Sequence, residues 1–185
     1  MIKEATQDAD RRMRSAIQSL KDDLAGVRTG RANPGLVEKL SVEYYGSPVP
    51  LIQLATLSVP EPRQLLIKPF DAGSIKDIDR AIQSSDLGLT PISDGKVIRL
   101  NLPVLTEERR HELTKYVNNR LEEARVAVRN VRRDAIKDLR EFESEKLISE
   151  DDLKAGEDDI QKLTDKYIEE IGSIGSDKEK EIMEI

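Results

Sequence analysis

Arg125, Arg129, Arg132 and Arg133 stand within one short stretch of the chain, Ala124-Arg125-Val126-Ala127-Val128-Arg129-Asn130-Val131-Arg132-Arg133-Asp134-Ala135. Guanidinium is a planar, permanently charged fork that matches phosphate oxygens two at a time, so clustered arginines are suited to holding a polyanion. The spacings of 4 and 3 put Arg125, Arg129 and Arg132 on one stripe of a helix, and Arg133 widens it. Ala124, Val128, Val131 and Ala135 repeat one residue earlier, about 100° round the same helix. One face is therefore suited to packing and its neighbour to an anion. Residues 125–140 hold 6 basic and 2 acidic side chains, so pairing along the helix cannot neutralise the stripe. Pairing with an acidic neighbouring helix is the alternative. Residues 141–185 supply it, with 16 acidic and 6 basic side chains.

Other chemistry is thinly represented. His111 is the single histidine, in a charged stretch, and reads as a solvated surface side chain. Cysteine is absent, which excludes disulfides and thiolate metal sites. No glycine-rich phosphate loop and no Gly-x-Ser-x-Gly element occurs. Glu150-Asp151-Asp152 and Asp158-Asp159 read as first-turn bias and a solvated acidic face. Tyr44-Tyr45 reads as one core and one edge residue, since neighbours in a strand face opposite ways. A protein with no catalytic residues, no metal and no cofactor of its own is expected.

The elements that must position these arginines are long helices. Charged residues make up 36% of the 185 residues and aromatics 3%, a composition suited to amphipathic helices. The net charge of -6 argues against indiscriminate nucleic-acid binding but leaves room for a local basic surface. No apolar run approaches the ~20 residues of a membrane span, and no signal-peptide core precedes the first helical pattern, so a cytoplasmic protein is expected.

Residues 2–28 carry Ala9, Met13, Ala16, Leu20, Leu24 and Val27 at helical spacing. Gly30, Pro34 and Gly35 then end the helix. Residues 36–104 change to strand signals: Ser41–Tyr45, Ser47–Leu51, Ala55–Val59, Gln64–Lys68 and Val97–Leu102. A short helix, Ile75–Gln83, is capped by Ser74, and residues 86–91 and 93–95 read as loops or turns. From Thr106, an N-cap candidate, a helix of about 40 residues follows, with Leu113, Val117, Leu121, Ala124, Val128, Val131, Ala135, Leu139 and Phe142 as its stripe. Polar replacement of Val117 or Val128 should damage the packing. Ser149 caps a third helix with Leu153, Ile160, Leu163, Tyr167, Ile171 and Ile174 inward, and Gly156, Gly172 and Gly175 are its weak points.

The expected architecture is α+β. A long three-helix bundle (1–29 and 106–185) receives a small α+β domain (32–103) between its first and second helices. Residues 29–35 and 102–106 join the two as a hinge.

Several segments together resemble the ribosome recycling factor family. They are Val27-Arg28-Thr29-Gly30-Arg31-Ala32, Val42-Glu43-Tyr44-Tyr45-Gly46, Ser85-Asp86-Leu87-Gly88-Leu89, Leu105-Thr106-Glu107-Glu108-Arg109-Arg110, the arginine stretch through Asp134, and Ile148-Ser149-Glu150-Asp151-Asp152 leading to Gln161-Lys162-Leu163-Thr164-Asp165. The match is collinear over essentially the whole chain. The resemblance implies an L-shaped molecule with dimensions like a transfer RNA, a bundle plus a β/α/β sandwich-like domain. It implies a translation factor that acts on the ribosome after termination and splits its subunits with elongation factor G. That partner, not this chain, uses GTP. Nothing beyond the three helical stripes suggests a dimer seam, so a monomer is expected.

Carried over by position, Arg129 and Arg132 match principal contacts to large-subunit rRNA. Arg28, Arg110, Arg125 and Arg133 match secondary ones. Gly30, Arg31, Pro103, Val104, Leu105 and Thr106 match the hinge. Ile171-Gly172-Ser173-Ile174-Gly175 departs from the Ala-rich helix the family leads one to expect, which bears on the rigidity of the last helix. The rival reading is a helical scaffold or chaperone-like module whose arginines pair in cis.

Overall fold

The computed structural model describes residues 1–184 and divides into two compact units, Met1–Val27 with Glu108–Glu184, and Arg28–Glu107. The first is all helix: α1 (Ile2–Ala25), α3 (Glu107–Ser144) and α4 (Glu150–Met183). The second holds β1 (Ser41–Tyr44), β2 (Ser47–Pro50), β3 (Ala55–Glu61), β4 (Gln64–Pro69), α2 (Ile75–Ser84), β5 (Pro91–Ser93) and β6 (Ile98–Asn101). The α+β class is as the pattern of periods predicts.

In the helical unit α3 buries Leu113, Val117, Leu121, Ala124, Val128, Val131, Ala135 and Leu139, the expected stripe, while Phe142 is half-buried. Helix α1 buries Ala9, Met13, Ile17, Leu20 and Leu24. Ile17 takes the place expected of Ala16, and α1 ends at Ala25, three residues short of expectation. On α4 the buried line runs through Gly156, Ile160, Thr164, Tyr167, Ile171, Gly175 and Ile182, so Leu153, Leu163 and Ile174 lie at its flank, half-buried. Each pair of helices is tied by polar contacts. Arg12 reaches Asp134 at 2.6 Å between α1 and α3, and Arg140 meets Glu157 at 2.9 Å between α3 and α4. The Tyr167 hydroxyl donates to Asp10 at 2.7 Å between α4 and α1.

The glycines do not interrupt α4. A Cβ at Gly175 would fall 2.3 Å from Leu121 Cδ1, and one at Gly156 would fall 2.8 Å from Leu139 Cδ1. Two of the three expected weak points are thus places where α3 comes too close for a side chain. Helix α3 ends with Lys146 at φ 60, with Leu147 N–H bonded to Phe142 O and Lys146 N–H to Glu143 O. This is the double bond pattern of a helix stop, formed here without glycine. Ser149 then opens α4 in a reciprocal capping box with Asp152.

In the second unit, β1 and β2 form a hairpin, and the other strands form an antiparallel sheet in the order β3-β4-β6-β5. One core joins the three layers: Val42 of the hairpin, Ile75, Ile78 and Ile82 of α2, and Leu65, Ile67, Ile98 and Leu100 of the sheet. Two local expectations change. Pro91–Ser93 is an edge strand paired with β6, not a loop. Ser74 does not cap α2 through its side chain. It sits in a 3-10 turn, Ala72–Ser74, and its hydroxyl donates to Asp71 O at 2.7 Å, while the Asp71 carboxylate accepts from Gly73 N–H. The Pro34-Gly35 break likewise forms one 3-10 turn, capped by Asn33.

Candidate nucleic-acid interface

Helix α3 carries Arg125, Arg129, Arg132 and Arg133 on one side because its buried stripe fixes the rotation of the helix. Val128 is fully buried and Val131 and Ala135 nearly so, which leaves the arginine stripe beside that seam. Arg129 and Arg133 are exposed, and Arg125 and Arg132 are half-buried.

Their partners decide how much charge they keep. Glu122 meets Arg129 at 3.1 Å and Arg125 at 3.4 Å, so one carboxylate serves two guanidiniums. The Arg129 hydrogen bond, opposed by slight desolvation and aided by Arg125, holds the exposed Glu122 carboxyl below its usual value. Arg132 donates to Gln161 Oε1 of α4 at 3.0 Å, and Arg133 donates to Asn130 Oδ1; both acceptors are neutral. Asp134, next in sequence, is engaged by Arg12 of α1. Among the described residues, Arg140 is the one member of 125–140 that ion-pairs with an acid of α4. The acidic last helix therefore does not quench the stripe. Arg132 also has its Nε buried without a hydrogen-bond partner. An orphaned buried donor costs about 1–3 kcal/mol, so Arg132 is held in place at a cost.

The remaining expected contacts are Arg110 and Arg28. Arg110 lies 15 residues before Arg125 on α3, about 22 Å along the helix. It donates to Met183 O at 3.2 Å, satisfying a carbonyl at the C-terminal end of α4, and its Nε is also buried and unpartnered. Arg28 belongs to the second unit and donates to Leu87 O at 2.9 Å and Asp86 O at 3.4 Å.

The segments expected to form the hinge lie outside helices and strands apart from the 3-10 turn at Pro34. Gly30 has φ 79, the left-handed region, and is buried. Ala32 N–H donates to Pro62 O and Leu102 N–H donates to Arg63 O, each at 2.8 Å. Both segments are thus fastened to the turn between β3 and β4. Pro103 and Val104 are exposed, Leu105 is half-buried, and α3 starts directly after Thr106.

Sequence reasoning missed Glu122 and Gln161. Glu122 follows from the helix rule, three residues before Arg125 and seven before Arg129. Gln161 carries no charge and gives no such signal; only its place in the family-like stretch Gln161–Asp165 marks it. His111 is exposed on α3, and Tyr45 is exposed while Tyr44 is half-buried, with its ring edge-on to Tyr45 at 4.5 Å. No group of three or more acidic or histidine side chains is placed to hold a metal ion among the described residues, and no helix there is long and apolar enough to cross a membrane.

A bundle whose middle helix shows four arginines with one carboxylate shared between two of them, joined to a small antiparallel α+β unit, defines a class of two-unit proteins with a local cationic face. The comparisons narrow the class. Residues 20–183 match the family model described as ribosome recycling factor. The chain is 57% identical to the ribosome-recycling factor of Halalkalibacterium halodurans and 54% identical to that of Bacillus subtilis (strain 168), with all of both chains covered in each case. It is similar to a solution structure of the ribosome recycling factor, at 47% identity and a TM-score of 0.79, covering 100% of this chain and 98% of the other. It is also similar, at 44% identity and a TM-score of 0.68 over 99% of each chain, to a structure modelling the T. thermophilus ribosome recycling factor and the E. coli elongation factor G bound to the E. coli post-termination complex. The chain belongs to the ribosome recycling factor family.

Proposed function

We propose that this protein releases ribosomes from messenger RNA after termination, splitting the subunits together with elongation factor G and GTP. The arginine face of α3 is its anchor on large-subunit rRNA. Arg129 and Arg132 make the principal contacts, and Arg125, Arg133, Arg110 and Arg28 contribute secondary ones. The observation that carries the reading is the shortage of acid around the stripe: four guanidiniums and one shared carboxylate, Glu122. Phosphate contact by these groups is the largest sequence-independent source of RNA affinity.

The reaction asks for no active site on this chain. Separating two subunits needs a stiff body fixed to one of them and a partner that uses GTP to displace it. Helix α3, 38 residues and roughly 57 Å long, supplies the stiffness. The flexure lies between the fastened Ala32 and Leu102 and the ends of the helices, at Gly30 and Arg31 on one strand and at Pro103–Thr106 on the other. The protein acts as a monomer in the cytoplasm, where its ribosomal substrate is.

Light scattering of post-termination ribosomes with this protein, elongation factor G and GTP should report dissociation. A signal no larger than that without the protein would refute the reading. Arg132→Glu should abolish large-subunit binding at unchanged helicity, and a variant that binds as before would exclude the stripe as the anchor.

A further inference from the structure

Gln161 and Asp165 are one turn apart on α4, and Arg132 of α3 points at them. Gln161 Nε2 donates to Asp165 Oδ1 at 2.8 Å, and Gln161 Oε1 accepts from Arg132 at 3.0 Å. An ionised carboxylate only accepts, so Asp165 fixes which way the amide faces and turns its oxygen toward the arginine. No ion pair joins Arg132 to Asp165; the amide stands between them. Arg125 and Arg129, by contrast, rest directly on Glu122. The stripe therefore contains two kinds of arginine: a pair held by a charge and a pair held by neutral amides, of which Arg132 is the one anchored from another helix.

We propose that Gln161, oriented by Asp165, is the positioning residue for Arg132, holding its guanidinium ready for a phosphate without neutralising it. The proposal rests on the reading that the arginine stripe docks on large-subunit rRNA. Two features support it. A hydrogen bond to a neutral amide fixes the position of the fork while leaving the full unit charge to act on an external anion. The Arg132 Nε, buried and unpartnered, shows that the side chain does not satisfy all its own donors in this pose. A group kept in an internally unfavourable pose is a mark of a functional constraint. The neutral character of position 161 is the content of the proposal. A glutamate there would be nearly the same shape and would hold Arg132 more tightly, but it would compete with phosphate.

The test uses the full chain and purified large ribosomal subunits, with affinity measured across a salt series. Gln161→Glu is expected to weaken binding about tenfold and to reduce the slope of log affinity against log salt by about one, the change that follows when one phosphate fewer is neutralised. Gln161→Met, which removes the anchor but adds no charge, is expected to weaken binding several-fold with the slope unchanged. Asp165→Ala frees the amide to turn and should resemble Gln161→Met. Far-ultraviolet circular dichroism should be the same for all, and a merely structural role would not alter the salt slope. Wild-type affinity in Gln161→Glu and Gln161→Met, alongside weak binding by Arg132→Gln, overturns the proposal and leaves the arginine anchor intact. Wild-type affinity in Arg132→Gln overturns the anchor itself. A weakened Gln161→Glu with an unchanged slope also overturns the proposal, since the neutrality of the amide would then be immaterial.

Discussion

Arg129 reaches back two helical turns to Glu122, at 3.1 Å, and meets there the carboxylate that Arg125 also contacts. One acid thus restrains half of the α3 stripe. Its carboxyl is held below its ordinary value mainly by the Arg129 bond, so it stays ionised throughout the physiological range. Any phosphate that engages Arg129 must compete with it. Glu122→Gln should bind large subunits several-fold more tightly and give a steeper salt dependence, with little change in thermal midpoint, since exposed pairs of this kind add little to stability. Titration across a salt series checks this, and a variant that binds no more tightly would show that Glu122 does not compete.

The capping box at the start of α4 makes a pH-dependent contribution. The Ser149 hydroxyl, and then the Ser149 backbone N–H, lower the Asp152 carboxyl from its usual value. A carboxyl depressed in the folded state favours folding fully above its unfolded value, and that contribution disappears as pH falls through the folded one. Ser149→Ala should cost about 1 kcal/mol at neutral pH, as removal of a cap does. The deficit relative to the parent should shrink on acidification below the ordinary aspartate range. Thermal melts from neutral to acidic pH would read both.

How much of this was legible in the chain depended on what each contact is made of. The α3 seam was readable residue by residue, because Leu, Val and Ala recur at 3 and 4 without interruption from Leu113 to Leu139. On α4 the contact line passes through Gly156, Thr164 and Gly175, which carry little or no hydrophobic signal, so the apparent stripe was displaced toward Leu163 and Ile174. The edge strand Pro91–Ser93 has three residues, and its one large apolar side chain, Ile92, is exposed, so no alternation announced it. The cationic face was visible from charge and spacing alone. Its restraints, Glu122 and Gln161, needed the side-chain geometry, because a helix repeat does not say which of several acceptors an arginine takes.

Gly30 offers a test of the proposed hinge. Its φ of 79 lies where an alanine Cβ crowds the following carbonyl, which costs roughly 1–2 kcal/mol. Gly30→Ala should either lower stability by about that amount or shift the backbone of 28–31. In both cases dissociation of post-termination ribosomes with elongation factor G should slow while binding to isolated large subunits, proposed to rest on α3, stays near that of the parent. Equal losses in both assays would place the residue in docking and not in motion.

The paired glycines near the end of α4 separate helix propensity from packing. Gly172 is exposed, and nothing lies within 4 Å of where its Cβ would be. Gly172→Ala removes conformational freedom from the unfolded chain without disturbing a neighbour, a gain of about 0.4–1 kcal/mol, or up to about 4 °C in midpoint for a chain of this size. Gly175 sits three residues on and faces inward. A Cβ there would lie 2.3 Å from Leu121 Cδ1, 3.3 Å from Cδ2 and 3.4 Å from Cγ, so the whole head of a buried leucine must move. Overpacking of that kind costs about 1–3 kcal/mol, more than the propensity gained. Gly175→Ala should therefore melt lower than the parent, and Leu121→Ala placed beside it should relieve the clash, giving a double-mutant coupling of opposite sign to the single losses. If both glycine variants instead gained stability, α3 and α4 would have to stand farther apart at this level than Leu121 and Gly175 do here.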